Sequence, residues 1–188
     1  MRITIYTSSS DAIDERYFAA ARDLAGRLAH RGDEVVYGGT AVGVMGALAG
    51  AMRAEGGRVT GILPQLMADR GLADQDCDEL IVTPDMAQRK QAMIARADAF
   101  VVLPGGFGTL EEFLEVLTLK QLGYHAKPIV LLDLDGFYQP LLTMFDGLFG
   151  QGFAKREYAA LYRVAPDVAA VIDELDAPDE AELPAKWF

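Results

Sequence analysis

The run Ala99-Phe-Val-Val-Leu103, continuing directly into Pro104-Gly-Gly-Phe-Gly-Thr-Leu-Glu-Glu112, decides how this chain folds. Five consecutive apolar residues stopped by a Pro-Gly turn predict a strand buried on both faces. The turn Pro104 to Gly108 then leads into apolar residues at helical spacing, predicting a helix from about Leu110 to Leu122. Strand, glycine turn and helix in that order are the repeating unit of a parallel sheet covered on both sides.

The same alternation continues outward from that unit. Upstream lie predicted strands Ile3 to Tyr6, Glu34 to Tyr37, Arg58 to Leu63 and Glu79 to Val82, separated by helices from about Asp14 to His30 and Val42 to Ala54. Thr83 and Pro84 are expected to cap and open a helix running to about Asp98. Pro64 to Asp78 gives a weak, acid-rich pattern, expected as a loop or broken short helix at the rim of a site. Downstream come a strand Pro128 to Leu132, a helix between Phe137 and Phe149, a strand Tyr162 to Ala165 and a helix from Pro166 to about Leu175. The expected fold is α/β: one three-layer, doubly wound, Rossmann-like domain over residues 1–188, with 176–188 a loosely held tail. Ligands of such sheets bind beyond the carboxyl ends of the strands, where the strand order reverses.

Composition removes several function classes. A chain of 188 residues with 51% hydrophobic and 24% charged residues is an ordinary globular protein. Its net charge of −11 repels a phosphate backbone, so no nucleic-acid partner is expected, although a local pocket for one small anion remains compatible. Cys77 is the only cysteine, which suits a reducing cytoplasm and gives neither a disulfide nor a Cys-rich zinc site. The longest nearly apolar run, Thr40 to Met52, has 13 residues, fewer than the roughly 20 that span a bilayer. The N-terminus lacks the apolar stretch of a signal peptide. His30 and His125 have no metal-ligand spacing, and Ser8, Ser9 and Ser10 stand in a turn without the nucleophile-elbow pattern.

Three motifs remain. The glycines of Pro104 to Gly108, with the amides opening the next helix, form a cradle for a monophosphate; on spacing alone, Thr109 and Glu112 also fit an ordinary capping box. Gly38-Gly39-Thr40 is a second strand-to-helix turn, read either as a binding turn or as close helix-to-strand packing. On the helix after Val82, Met86, Arg89, Met93 and Ala97 share a face with Lys90 at its edge, so Arg89 snorkels to solvent, sits in a structural ion pair or is held for a ligand. Along the helix after Gly108 the main apolar stripe is Leu110, Phe113, Leu114 and Leu117, with Glu112, Val116 and Leu119 opposite. Two apolar sides suggest a second buried surface such as a homodimer interface.

With these residues in place, the chain resembles the LOG (Lonely Guy) family, marked by PGGxGTxxE, here Pro104 to Glu112, and by an Arg-Lys pair, here Arg89 and Lys90, 23 positions before the glutamate. Members are cytokinin riboside 5′-monophosphate phosphoribohydrolases, often labelled lysine decarboxylases, with a Rossmann-like fold and commonly dimeric. The resemblance implies hydrolysis of the N-glycosidic bond of an AMP-type nucleotide, with Arg89 and Glu112 catalytic and no metal or cofactor. It also implies substrate contacts from Ser9, Gly38, Gly39, Met86, Lys90, Gly105, Gly106, Phe107, Gly108, Thr109, Leu110, Glu111 and Thr118. The chain departs from the family pattern at Thr7 and Thr40, where glycines are usual, and in the Pro64 to Asp76 loop, which has no glutamate. A non-hydrolytic carrier of a nucleotide or of the molybdenum cofactor, built on the same superfold, is the alternative.

Overall fold

In the structure, a computed structural model that describes residues 1–178, seven parallel strands form one sheet in the order β4-β3-β2-β1-β5-β6-β7. They are β1 (Arg2–Tyr6), β2 (Glu34–Tyr37), β3 (Arg58–Pro64), β4 (Glu79–Thr83), β5 (Ala99–Val102), β6 (Ile129–Leu132) and β7 (Arg163–Ala165). The chain winds outward from β1 to β4, then crosses back to lay β5 on the other side of β1. The reversal of strand order therefore falls between β1 and β5, the crevice where ligands of such sheets bind.

Period-two alternation along the strands feeds two separate cores. Ile3, Ile5, Ala99, Val101, Val130 and Leu132 pack with helices α1 (Glu15–His30), α2 (Gly43–Ala54) and α7 (Val168–Asp176) on one face. Tyr6, Phe100, Val102, Ile129 and Leu131 pack on the other face with α4 (Met86–Arg96), α5 (Phe107–Gln121) and α6 (Gln139–Gly150). The result is the three-layer α/β arrangement expected from the alternating pattern.

Local chemistry sets the helix boundaries, and it corrects several expectations. Asp85, not Thr83, caps α4: its carboxylate accepts from the Gln88 amide at 2.8 Å, while the Thr83 hydroxyl donates to the Asp85 carbonyl at 3.0 Å. Pro84 thus lies outside the helix, and Pro166 likewise precedes α7, whose cap is Asp167. Helix α5 starts at Phe107, about three residues earlier than expected, with Gly106 as its cap. Its buried side is Thr109, Glu112, Phe113, Val116 and Lys120; of the predicted main stripe, Phe113 is fully buried, Leu110 and Leu117 are half-buried and packed against the same core, and Leu114 is exposed. The weak segment after β3 contains one helical turn, α3 (Gln65–Ala68). Asp176 closes α7 and is bound by Arg31 at 2.7 Å; the remainder of the expected tail, 179–188, lies outside the described residues.

Candidate active site

Helices α4 and α5 bring the two charged residues of the widely spaced motif into contact. Arg89 is only 6% exposed and Glu112 only 8%. Arg89 Nη1 donates to Glu112 Oε1 at 2.5 Å, and its Nε donates to the Ile62 carbonyl at the end of β3 at 2.9 Å. A guanidinium fixed at two points cannot snorkel. Burial pushes the Glu112 carboxyl above the ordinary value, with the Arg89 charge pulling it part of the way back. At the adjoining position, Lys90 bonds Glu111 and lies 3.2 Å from Glu115, joining the same two helices nearer to solvent. Glu111 beside it holds the Lys90 ammonium above its ordinary value.

The two glycine turns differ in what their helices leave available. The first amides of α2 are engaged: Gly43 N donates to the Asp11 carboxylate at 2.9 Å and Met45 N to the Ser8 carbonyl at 3.2 Å. Gly43 has φ +62°, and a Cβ there would stand 2.3 Å from the Ser9 carbonyl carbon, so this turn is shaped by close backbone packing. Helix α5 has no side-chain cap on Gly106. Its opening amides, with the positive end of the helix dipole, face the crevice and suit an anion. Thr109 and Glu112 do not form a capping box, because Glu112 is committed to Arg89 and Thr109 lies inside the first turn.

Between these turns lies a cavity of about 290 Å³. Of the residues proposed from sequence, Ser9, Gly38, Met86, Arg89, Gly106, Phe107, Gly108, Thr109, Glu111 and Glu112 line it. Gly39, Lys90, Gly105 and Leu110 are not among its lining residues. A Cβ on Gly39 would meet the Ile62 amide nitrogen at 2.9 Å, and one on Gly105 would meet Thr109 Oγ1 at 2.1 Å, so both glycines serve close approach. Thr118 is not brought to the cavity; it lines a separate apolar groove between α5, α6 and the segment through Tyr162. Phe107 is 93% exposed at the cavity mouth.

Ser8 and the two departures from the family pattern, Thr7 and Thr40, also line the cavity, as do Met45 and Met67, to which sequence reasoning gave no site role. For Met67 nothing local gives a signal. The acid-rich segment that carries it is fastened by Asp74, which is buried and accepts from Tyr37 Oη at 2.6 Å, Arg53 Nη1 at 2.9 Å and the Asp76 amide at 3.1 Å. The Asp74 amide in turn donates to the Gly39 carbonyl at 2.9 Å, and Thr40 bridges Ala73. Burial alone would raise the Asp74 carboxyl; the Tyr37, Arg53 and Asp76 donors outweigh it and hold it below the usual value.

Comparison with known proteins agrees with this geometry. The protein-family description "Possible lysine decarboxylase" matches residues 45–175. Cytokinin riboside 5′-monophosphate phosphoribohydrolase LOG5 of Arabidopsis thaliana is 40% identical over 176 residues, covering 94% of this chain and 77% of that protein. LOG2 of the same plant, bearing the same enzyme name, is 41% identical over 175 residues, covering 93% of this chain and 82% of its own. Among solved structures, the molybdenum cofactor carrier protein of Chlamydomonas reinhardtii superimposes with a TM-score of 0.70 at 25% identity, covering 92% of this chain and 93% of that one. With the motif pair assembled in the crevice and relatives of this identity along nearly its whole length, the chain belongs to the LOG family.

Proposed function

We propose that this chain hydrolyses the N-glycosidic bond of AMP-type nucleoside 5′-monophosphates, cytokinin riboside 5′-monophosphates or AMP itself, giving free base and ribose 5-phosphate. The observation that carries the reading is the buried Arg89–Glu112 pair on the wall of a cavity whose rim is the uncapped start of α5. The 5′-phosphate docks on the amides of Gly106 to Thr109, and the base extends toward Met45, Met67 and Met86, whose unbranched side chains adapt to an apolar substituent.

The chemistry follows from that placement. As the C1′–N bond breaks, its electron pair leaves with the base and positive charge develops on the sugar. The Glu112 carboxylate stabilises that charge and orients water, whose oxygen adds to C1′ while a proton is delivered to the departing base. Arg89 fixes the carboxylate and steadies the nucleotide, with Lys90 beside it.

We further propose that the protein works as a homodimer in the cytoplasm, without a nucleic-acid partner. The apolar groove lined by Leu114, Leu117, Phe145 and Leu148 on the outer side of α5 and α6 supports the dimer, and the net charge of −11 supports the absence of nucleic acid. Among the described residues no helix is long and apolar enough to cross a membrane.

The test is base release from AMP and from isopentenyladenosine monophosphate by the purified protein. Release that is lost in folded Arg89→Ala and Glu112→Gln variants establishes the reaction and both residues. Binding of nucleotide without release favours the carrier reading, to which the fold likeness with the Chlamydomonas protein gives its support.

A further inference from the structure

Thr7 follows the last residue of β1, in the middle of the crevice. The register sets Tyr6 against Val102 of β5 on one side, and Thr4 against Val36 of β2 on the other. Extending the first pairing by one residue and the second by three sets Thr7 opposite Leu103 on one side and Gly39 on the other, between the two glycine turns. The Leu103 amide, bonded to the Tyr6 carbonyl at 2.9 Å, holds this arrangement together.

Thr7 lines the cavity and is only 5% exposed, yet its hydroxyl has no hydrogen-bond partner among the described residues. Buried hydroxyls are nearly always paired, and leaving one unmatched is unfavourable for folding. The neighbouring Thr40 is also buried on this wall, and its hydroxyl reaches only the Met45 sulfur, at 3.8 Å. A hydroxyl left unmatched among the described residues beside a ligand cavity is available to pair with what occupies it once a χ1 rotation among staggered wells turns it from its buried position toward the cavity.

We infer that the Thr7 hydroxyl hydrogen-bonds a secondary hydroxyl, 2′ or 3′, of the substrate's sugar, making Thr7 a specificity-determining residue for ribose. This rests on the hydrolase reading above and adds a contact to it. A nucleotide with its phosphate at the start of α5 and its base among the methionines must place its sugar at the midpoint of the cavity, where Thr7 stands. The family pattern has glycine at this position, so the contact is a feature of this chain.

The experiment compares wild type, Thr7→Val and Thr7→Ser on AMP, 2′-deoxy-AMP and 3′-deoxy-AMP, following base release, binding by calorimetry and thermal melting. The preference for AMP over one deoxy analogue is expected to fall about tenfold in kcat/KM in Thr7→Val, the value of one hydrogen bond, and to be kept in Thr7→Ser. Comparing that ratio between variants cancels the differing intrinsic lability of the glycosidic bonds. Because the hydroxyl has no partner among the described residues, Thr7→Val should melt at or above the wild-type temperature. Equal losses on all three nucleotides, no loss, or a lowered melting temperature overturns the proposal. Wild type that binds AMP but releases no base removes the hydrolase reading alone, and Thr7 is then judged on whether its substitution levels the affinities for AMP and the deoxy analogues.

Discussion

Arg89 reaches Glu112 across 23 positions of sequence and 2.5 Å of space, with both side chains buried. Glu112→Gln keeps the shape but removes the charge, and should lower kcat about a hundredfold or more; it also leaves the buried Arg89 guanidinium without its counter-charge, so some loss of stability is expected, softened by the bond Arg89 keeps to the Ile62 carbonyl. Arg89→Met should lose activity too, and in addition destabilise the fold by about 3–5 kcal/mol, because it leaves a buried carboxylate unpaired. Base release and denaturant melts on the same preparations separate the two effects; a wild-type melt for Arg89→Met would mean that Arg89 does not neutralise Glu112.

The raised Glu112 carboxyl gives a pH signature with opposite signs for stability and activity. The folded state holds a proton that the unfolded chain has released, from the ordinary glutamate value of about 4.3 up to the raised one. This group's contribution to stability is therefore fully present below that window and is lost as pH rises through it. Catalysis needs the carboxylate, so kcat/KM should climb over the same window. An acid limb at or below the ordinary value would contradict the assignment, and Glu112→Gln should flatten the corresponding part of the stability profile.

Glycines 38 and 43 should fail in different ways when changed to alanine. At Gly38 the new Cβ would meet Met45 Sδ at 2.5 Å and Arg89 Nη2 at 2.6 Å, both ends of long side chains that can move aside. Gly38→Ala should fold normally but lose about tenfold in kcat/KM, as Arg89 is displaced by a fraction of an ångström. At Gly43 the obstacle is the Ser9 backbone at 2.3 Å, with φ +62°, so Gly43→Ala should cost at least about 1–3 kcal/mol of stability. Melting curves and kinetics on the pair measure both outcomes.

Asp74→Ala leaves Tyr37 and Arg53 without their shared acceptor and loosens the segment that carries Met67. A loss of about 1–3 kcal/mol is expected, with KM rising more than kcat falls, since the methionine wall is disturbed while Arg89 and Glu112 stay in place. A variant with kcat and KM unchanged would mean that the clamp does not shape the base end of the cavity.

The parts of the fold that sequence makes legible are those governed by local periodicity. Apolar runs such as Ala99 to Leu103 and the Ala21, Leu24, Ala25, Leu28 stripe of α1 repeat at the spacing of the element that buries them. Boundaries are less legible where two residues compete for one role. Thr83 and Asp85 both suit a helix cap, and only the carboxylate reaches the Gln88 amide. The stripe on α5 is only partly legible: Phe113, Leu110 and Leu117 do pack on the core, but that helix has two apolar sides and its most buried one also carries Glu112 and Val116. At the site, the long-range pair is readable only through a motif with fixed spacing. Asp74 and Met67 are not, because their importance arises from a loop folding back across β2, which no local pattern encodes.

The order of strands has a further effect on how the site can be taken apart. Arg89 arrives on the helix that leads out of the β1–β4 half, and Glu112 on the first helix of the half that begins with β5. A cut near residue 98 would thus give two fragments, each with part of the sheet and one key of a two-key lock. Neither fragment alone carries the pair, and turnover regained on mixing them would report the docking of β5 against β1.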